Sequence, residues 1–204
     1  MGSDELNREG AELGKRGDVK HALEKFEDAL QADPGHPTLL ANRGAAKLEL
    51  GDLEGAREDL DRALQLDPAD PAALNNRAMV AAKMGRFREA VAFYDRAVAL
   101  KPERYLVYRA GAKAQMGDYA GAMSDLDRAE KLTPDRYDTH YQRAVVHRLM
   151  EHLPAARKSL DRALALWADS AEAWASRGEI NSCLGEEKSA LAAYDRAIAL
   201  DPRN

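Results

Sequence analysis

Apolar residues return along this chain in two helical stripes per unit, and the unit itself recurs. In one stretch Ala56, Leu60, Ala63 and Leu64 stand at i, i+4, i+7 and i+8, the spacing of one helix face. The pattern predicts helices over Pro37–Leu50 and Leu53–Leu66, with polar residues filling the opposite faces. The segments EDALQADP, DRALQLDP, DRAVALKP, DRAEKLTP, DRALALWA and DRAIALDP end at Pro34, Pro68, Pro102, Pro134, Ala168 and Pro202. Their spacings are 34, 34, 32, 34 and 34 residues. A period of this size marks stacked helical hairpins rather than a closed globule. Gly17, Gly51, Gly85, Gly117 and Gly185 fall between the two helices of their units, where a left-handed residue can end a helix. The fifth unit has Glu151-His152 there, and Pro154 is placed to open its second helix. The recurring prolines are expected to stop each second helix.

Composition supports a helix-rich chain. There are 39 alanines among 204 residues, and alanine both favours helix and lets backbones approach. Thirty-five acidic and 30 basic residues give a net charge of −5, which argues against nucleic acid as a partner. One cysteine excludes an intrachain disulfide and a multi-cysteine metal site. No apolar run approaches membrane-spanning length, so no membrane association is expected and a cytoplasmic location is the default. Residues 1–2 are expected to be an added or disordered start lying outside the array.

The repeat resembles the tetratricopeptide repeat, over almost the whole chain. The family's small residue at position 8 is Gly10, Gly44, Ala78, Ala110, Ala144 and Gly178. Its alanine at position 20 is Ala22, Ala56, Ala90, Ala122, Ala156 and Ala190. Position 24, usually aromatic, is Phe26, Leu60, Tyr94, Leu126, Leu160 and Tyr194, and position 27 is alanine in every unit. The resemblance implies an all-α fold: a right-handed superhelical solenoid of six helix-turn-helix repeats, in a single array over residues 3–204. The repeats are expected at about 3–36, 37–70, 71–102, 103–136, 137–170 and 171–204. Two residues are missing between the third and fourth, and Ala168 replaces the proline of the fifth.

Charges recur as well. Arg43, Arg77, Arg109, Arg143 and Arg177 share one position, and Asp61, Asp95, Asp127, Asp161 and Asp195 share another, each followed by arginine. The simplest account is a ladder of Arg–Asp pairs between packed helices; a basic row for phosphate or acidic peptide is the alternative. The first unit lacks the pattern, with Glu9, Glu27 and Asp28 there. No phosphate-cradling glycine loop, nucleophile elbow or HExxH pair occurs, so neither catalysis nor a cofactor is expected. His140 and His147 read as packing histidines rather than metal ligands, and Cys183 as a plain thiol.

Family resemblance places the first helices on a concave side. Positions 2, 5, 6, 9, 12 and 13 then form one stripe. It offers Asn42, Asn75, Asn76, Met79 and Lys83, then Arg104, Val107, Tyr108, Tyr141, Gln142, Val145 and Arg148. Amides can hold an extended peptide by its backbone, Tyr and Met supply adaptable apolar contact, and Arg104 and Arg148 suit a carboxylate. The chaperone-tail clamp of some family members is disfavoured: Asn76 and Arg104 fit it, but Ala41, Ala45 and Tyr108 stand at its other positions. Two functions stay open. One is a non-catalytic scaffold or adaptor that binds an extended peptide of a partner protein in the groove. The other is a self-assembly module, a homo-oligomer stacking through the open C-terminal repeat, where Leu184, Leu191, Tyr194 and Ile198 include the residues left uncovered unless, as is favoured, the chain is a fragment of a longer protein.

Overall fold

The computed structural model describes residues 2–202. Among these the chain forms twelve helices and no strand. The hairpins are α1 (Ser3–Lys15) with α2 (Val19–Ala32), α3 (Pro37–Leu50) with α4 (Leu53–Leu66), and α5 (Pro71–Lys83) with α6 (Phe87–Leu100). They continue with α7 (Pro102–Gln115) and α8 (Tyr119–Leu132), α9 (Tyr137–Leu149) and α10 (Leu153–Leu166), and α11 (Ala171–Cys183) and α12 (Glu187–Leu200). The chain divides into two compact units, one up to Tyr105 and one from Leu106 onward, the division falling inside α7.

The turn within each hairpin follows from its glycine. Gly51 has φ +87°, and the peptide N–H of Asp52 then reaches back to the Lys47 carbonyl at 2.9 Å. The Asp52 side chain meanwhile accepts from the Gly55 N–H at 2.9 Å and caps α4. Gly17, Gly85, Gly117 and Gly185 repeat the left-handed turn. The fifth hairpin forces Glu151 into that conformation at φ +61°, so its expected divergence is one of sequence and not of geometry.

Position 8 is small because the helices cross there. A Cβ on Gly10 would stand 2.6 Å from the Phe26 ring, and one on Gly178 would stand 2.7 Å from Tyr194. The alanines at positions 20 and 27 are buried in every hairpin, and Leu39, Leu40, Leu60 and Leu74, then Leu106, Leu126, Leu160 and Ile180, fill the interiors of the two units.

Two local expectations need correcting. Pro102, placed at the end of the third repeat, is the first residue of α7, because the two missing residues leave it only the N1 role that Pro37 and Pro71 play elsewhere. Gly2 is no loose start: its carbonyl accepts from the Glu5 and Leu6 N–H groups, so it is the N-cap of α1. Met1 lies outside the described residues, as do the last two residues of the sixth repeat. The turn without proline at Ala168 is held by side chains instead. Trp174 Nε1 donates to the Ala168 carbonyl at 2.8 Å, Tyr137 bonds Ser170 at 2.7 Å, and Trp167 meets the Tyr137 ring edge-on at 5.1 Å.

Candidate functional site

Most of the repeated charges are engaged with one another, so they are not the surface that faces a ligand. The ladder exists, with two alternating partners. Arg43 donates to Asp59, and Arg109 to Asp125, sixteen residues later within the same hairpin. Lys47 and Lys113 join them at 2.8 and 2.9 Å. Where a hairpin has Phe93 or Ser159 at that place, the arginine turns back to the preceding hairpin: Arg77 to Asp61, Arg143 to Asp127. Arg177, in the hairpin with Ala193, likewise meets Asp161. The expected partners are therefore right for three arginines, while Asp59 and Asp125 were not anticipated. The first hairpin does not lack the pair; it reverses it, with Glu9 facing Lys25 at 2.9 Å. The second arginine row grips the preceding turns, Arg96 reaching the Pro68 carbonyl at 2.9 Å.

Burial pushes the Asp59 and Asp125 carboxyls up. Hydrogen bonds from Arg and Lys, with the charges behind them, outweigh it and hold both below the ordinary carboxylate value. His140 is buried with Nε2 at 3.1 Å from the Pro134 carbonyl, a packing role. Burial also lowers the His147 pKa, followed by the charges of Arg143 and His152. Among the described residues no cluster of three His, Cys, Asp or Glu side chains suits a metal, and no helix is long and apolar enough to cross a membrane. Cys183 is exposed.

In the unit up to Tyr105 the stripe is a set of amides beside a cleft. Asn42 Nδ2 donates to Asn7 Oδ1 at 2.8 Å, joining α3 to α1. Asn75 Nδ2 turns to Asn76 Oδ1 at 3.2 Å and to Met79 Sδ at 3.4 Å, so its donors are engaged inward. Lys83 and Arg104 are exposed, the Arg104 guanidinium 5.8 Å from the Tyr105 ring. Next to the Asn7–Asn42 pair lies a cleft of about 230 Å³, walled by Gly10, Ala11, Gly14, Ala45 and Ala46 and floored by Phe26. Asn7 obeys the same stripe rule as Asn42, at position 5 of the first repeat, and was legible; the cleft was not.

In the unit from Leu106 the stripe is aromatic. Tyr137 and Tyr141 stack at 5.7 Å, and Tyr141 bonds Ser176 at 3.3 Å. Burial pushes the Tyr141 hydroxyl up to about 12. Arg148 sits 3.5 Å from Glu179, so a ligand carboxylate there has a competitor. A cavity of about 40 Å³ under Tyr141, Val145 and Arg148 has room for a water and no side chain. Gln142 lies over Gly111, where a Cβ would come within 3.2 Å of its amide. Tyr108 is exposed. Val107 must be withdrawn: it is 4% exposed, because an apolar β-branched side chain gains more from packing than from facing water.

A family model described as the tetratricopeptide repeat matches residues 7–71, 42–105, 75–138 and 141–204. The chain belongs to the tetratricopeptide repeat family, whose fold is a general scaffold for protein–protein interaction. The crystal structure of PilW, a type IV pilus biogenesis factor, is similar at TM-score 0.86 and 21% identity, covering 99% of this chain and 94% of that one. A tetratricopeptide repeat protein from Parabacteroides merdae matches at TM-score 0.77 and 19% identity, over 97% of this chain and 79% of that one. YrrB, described as having an unusual peptide-binding site, matches at 0.58 and 18%, over 87% and 92%. Identities this low establish the fold alone. No curated protein sequence matches the chain significantly.

Proposed function

We propose that the chain is a non-catalytic adaptor that binds an extended peptide segment of a partner protein along the first-helix stripe. The carrying observation is the Asn7–Asn42 amide pair at the lip of the 230 Å³ cleft. One hydrogen bond joins the two side-chain amides, from Asn42 Nδ2 to Asn7 Oδ1, which leaves Asn7 Nδ2 as donor and Asn42 Oδ1 as acceptor. Those two groups complement the C=O and N–H of an extended peptide, and the small-walled cleft beside them accepts one apolar side chain. Asn76, Met79, Lys83 and Arg104 extend the surface in the first unit; Tyr108, Tyr141, Gln142, Val145 and Arg148 form a stripe of their own in the second. A peptide-binding site named for YrrB, a protein of the same fold, supports this reading.

The test is selection of unstructured peptides from a displayed library on the full chain, followed by binding to an Asn42→Ala, Asn76→Ala variant of equal thermal stability. Selected peptides should lose tenfold or more in affinity on the variant. Peptides that bind both proteins equally would refute the stripe.

A further inference from the structure

The cleft beside the Asn7–Asn42 pair has two unlike ends. Asn42 and Glu49 both line it, on one face of α3 at i and i+7, two turns or about 10 Å apart along the helix. The amide pair marks one end, apolar residues line the length, and Glu49 is the one charged side chain among the described residues that line it. Glu49 is exposed and makes no ion pair among the described residues; nearby Lys47 is bound to Asp59, and Lys15 to Glu12. The opening lies between two consecutive hairpins, inside the array and not at its end. It is also particular to this junction. The next one, between α3 and α5, has Leu48 in place of Gly14, Met79 in place of Ala45 and Lys83 in place of Glu49. Larger side chains and the opposite charge thus stand where the first junction is open and acidic. A Cβ on Gly14 would meet only the Ala22 Cβ, at 4.0 Å, so the helix crossing does not require glycine there.

We propose that the residue anchoring a partner's peptide in this cleft is basic, arginine ahead of lysine, its methylene stem lying over Phe26 and its cationic head on Glu49. The inference rests on the peptide reading of the stripe and sharpens it: the apolar occupant of the cleft is the stem of a charged side chain. A valine or leucine would fill the apolar stretch next to the amide pair and leave the carboxylate unmet. Lysine and arginine have both parts, a stem that packs on apolar walls and a cation that stays at the rim. Arginine is preferred because its guanidinium is more weakly hydrated and its fork of donors matches a carboxylate. Charge complementarity at the rim sets which residue is accepted, while the walls and the amide pair hold the segment.

The experiment selects unstructured peptides from a fully randomised displayed library on the full chain and measures the binders on variants of equal thermal stability. The binders should share one basic residue, arginine more often than lysine. Glu49→Gln should weaken them about threefold, since an exposed ion pair is worth little, and Glu49→Lys at least tenfold. A binder with glutamate at the shared place should lose at least tenfold on the wild type and recover on Glu49→Lys. Gly14→Leu, which fills the cleft and leaves its charge alone, should also cost at least tenfold. Binders that need the amides, losing affinity on Asn42→Ala, Asn76→Ala, yet share no basic residue or are indifferent to Glu49→Lys would overturn this inference and leave the stripe standing. Binders indifferent to the loss of the amides, or a selection that yields none, would overturn both.

Discussion

Removing the Asp59 carboxylate should cost the first unit far more stability than removing it together with Lys47. Asp59 is buried and accepts from Arg43 Nε at 2.7 Å and from Lys47 Nζ at 2.8 Å. Asp59→Ala leaves two cations facing each other across an apolar gap, with side chains only 21% and 18% exposed. Breaking a buried pair by deleting one partner typically costs about 3–5 kcal/mol. Arg43 has a second acceptor within range of its charge, because Glu27 already acts on it and stands where Asp61 and Asp127 stand in later hairpins. The loss should therefore lie near the lower figure, about 3 kcal/mol, with Lys47 as the stranded cation. The Lys47→Ala, Asp59→Ala double variant removes that charge and should cost about 1.5 kcal/mol, which makes the coupling between the two sites at least about 1.5 kcal/mol.

Urea unfolding gives the overall change, but a repeat array can open locally, so amide hydrogen exchange in α3 and α4 is the sharper readout. A single variant costing under about 1 kcal/mol would refute the buried-charge argument, as would a double variant no better than the single. The same pair sets an acid limit. The folded pKa of Asp59 is depressed below its ordinary 3.8, so the stabilisation is complete above that value. It disappears as pH falls through the lower folded value. Asp59→Asn should flatten this acid arm; an arm of unchanged depth would assign it elsewhere.

Three further outcomes follow from single positions. Glu151→Gly relieves a left-handed φ of +61° and should stabilise the chain by about 1 kcal/mol, read as a raised Tm; no gain would mean the turn is unstrained. Gly44→Ala sets a Cβ 2.8 Å from Leu60 Cγ and 3.3 Å from the Ala56 carbonyl. Crowding of about 1–3 kcal/mol should outweigh the helix-propensity gain of about 1 kcal/mol, so the variant melts lower unless Leu60→Val is added. Tyr141 should ionise near pH 12, and stability should fall as pH rises from 10 toward 12, since its folded pKa is raised above the ordinary value. Ultraviolet titration of wild type against Tyr141→Phe measures it, and ionisation near 10 would contradict the burial.

The fold was legible because each signal in it repeats. Six alanines at one position, or five glycines between helices, average away local exceptions, and Glu151 could be placed by register although its residue type is wrong for the turn. The errors fall where two neighbouring positions interact. Register alone could not show that Asp59 and Asp125 capture their arginines first, because they replace Phe93 or Ser159 at a position that no longer looks repeated. Val107 failed for the same reason: the stripe rule gives direction from the helix axis, whereas burial depends on what the neighbouring helix brings. The cleft above Phe26 is invisible in sequence because it is an absence of side chains, shared between α1 and α3.

That contrast bears on where binding resides. Arg43, Arg77, Arg109, Arg143 and Arg177 recur in five hairpins and are spent on carboxylates inside the array, so a conserved-looking basic row is structural here. The residues proposed to meet a ligand are those that vary between repeats: Asn7 and Asn42 in one unit, Tyr108 and Tyr141 in the other. The two sets obey different demands. A ladder works only if each hairpin offers its neighbour the same partner, whereas an extended peptide presents different side chains along its length and is read by different residues in turn. Exchanging the stripe residues between hairpins should therefore leave the melting curve nearly unchanged and alter which peptides are selected. Exchanging the ladder residues should do the reverse.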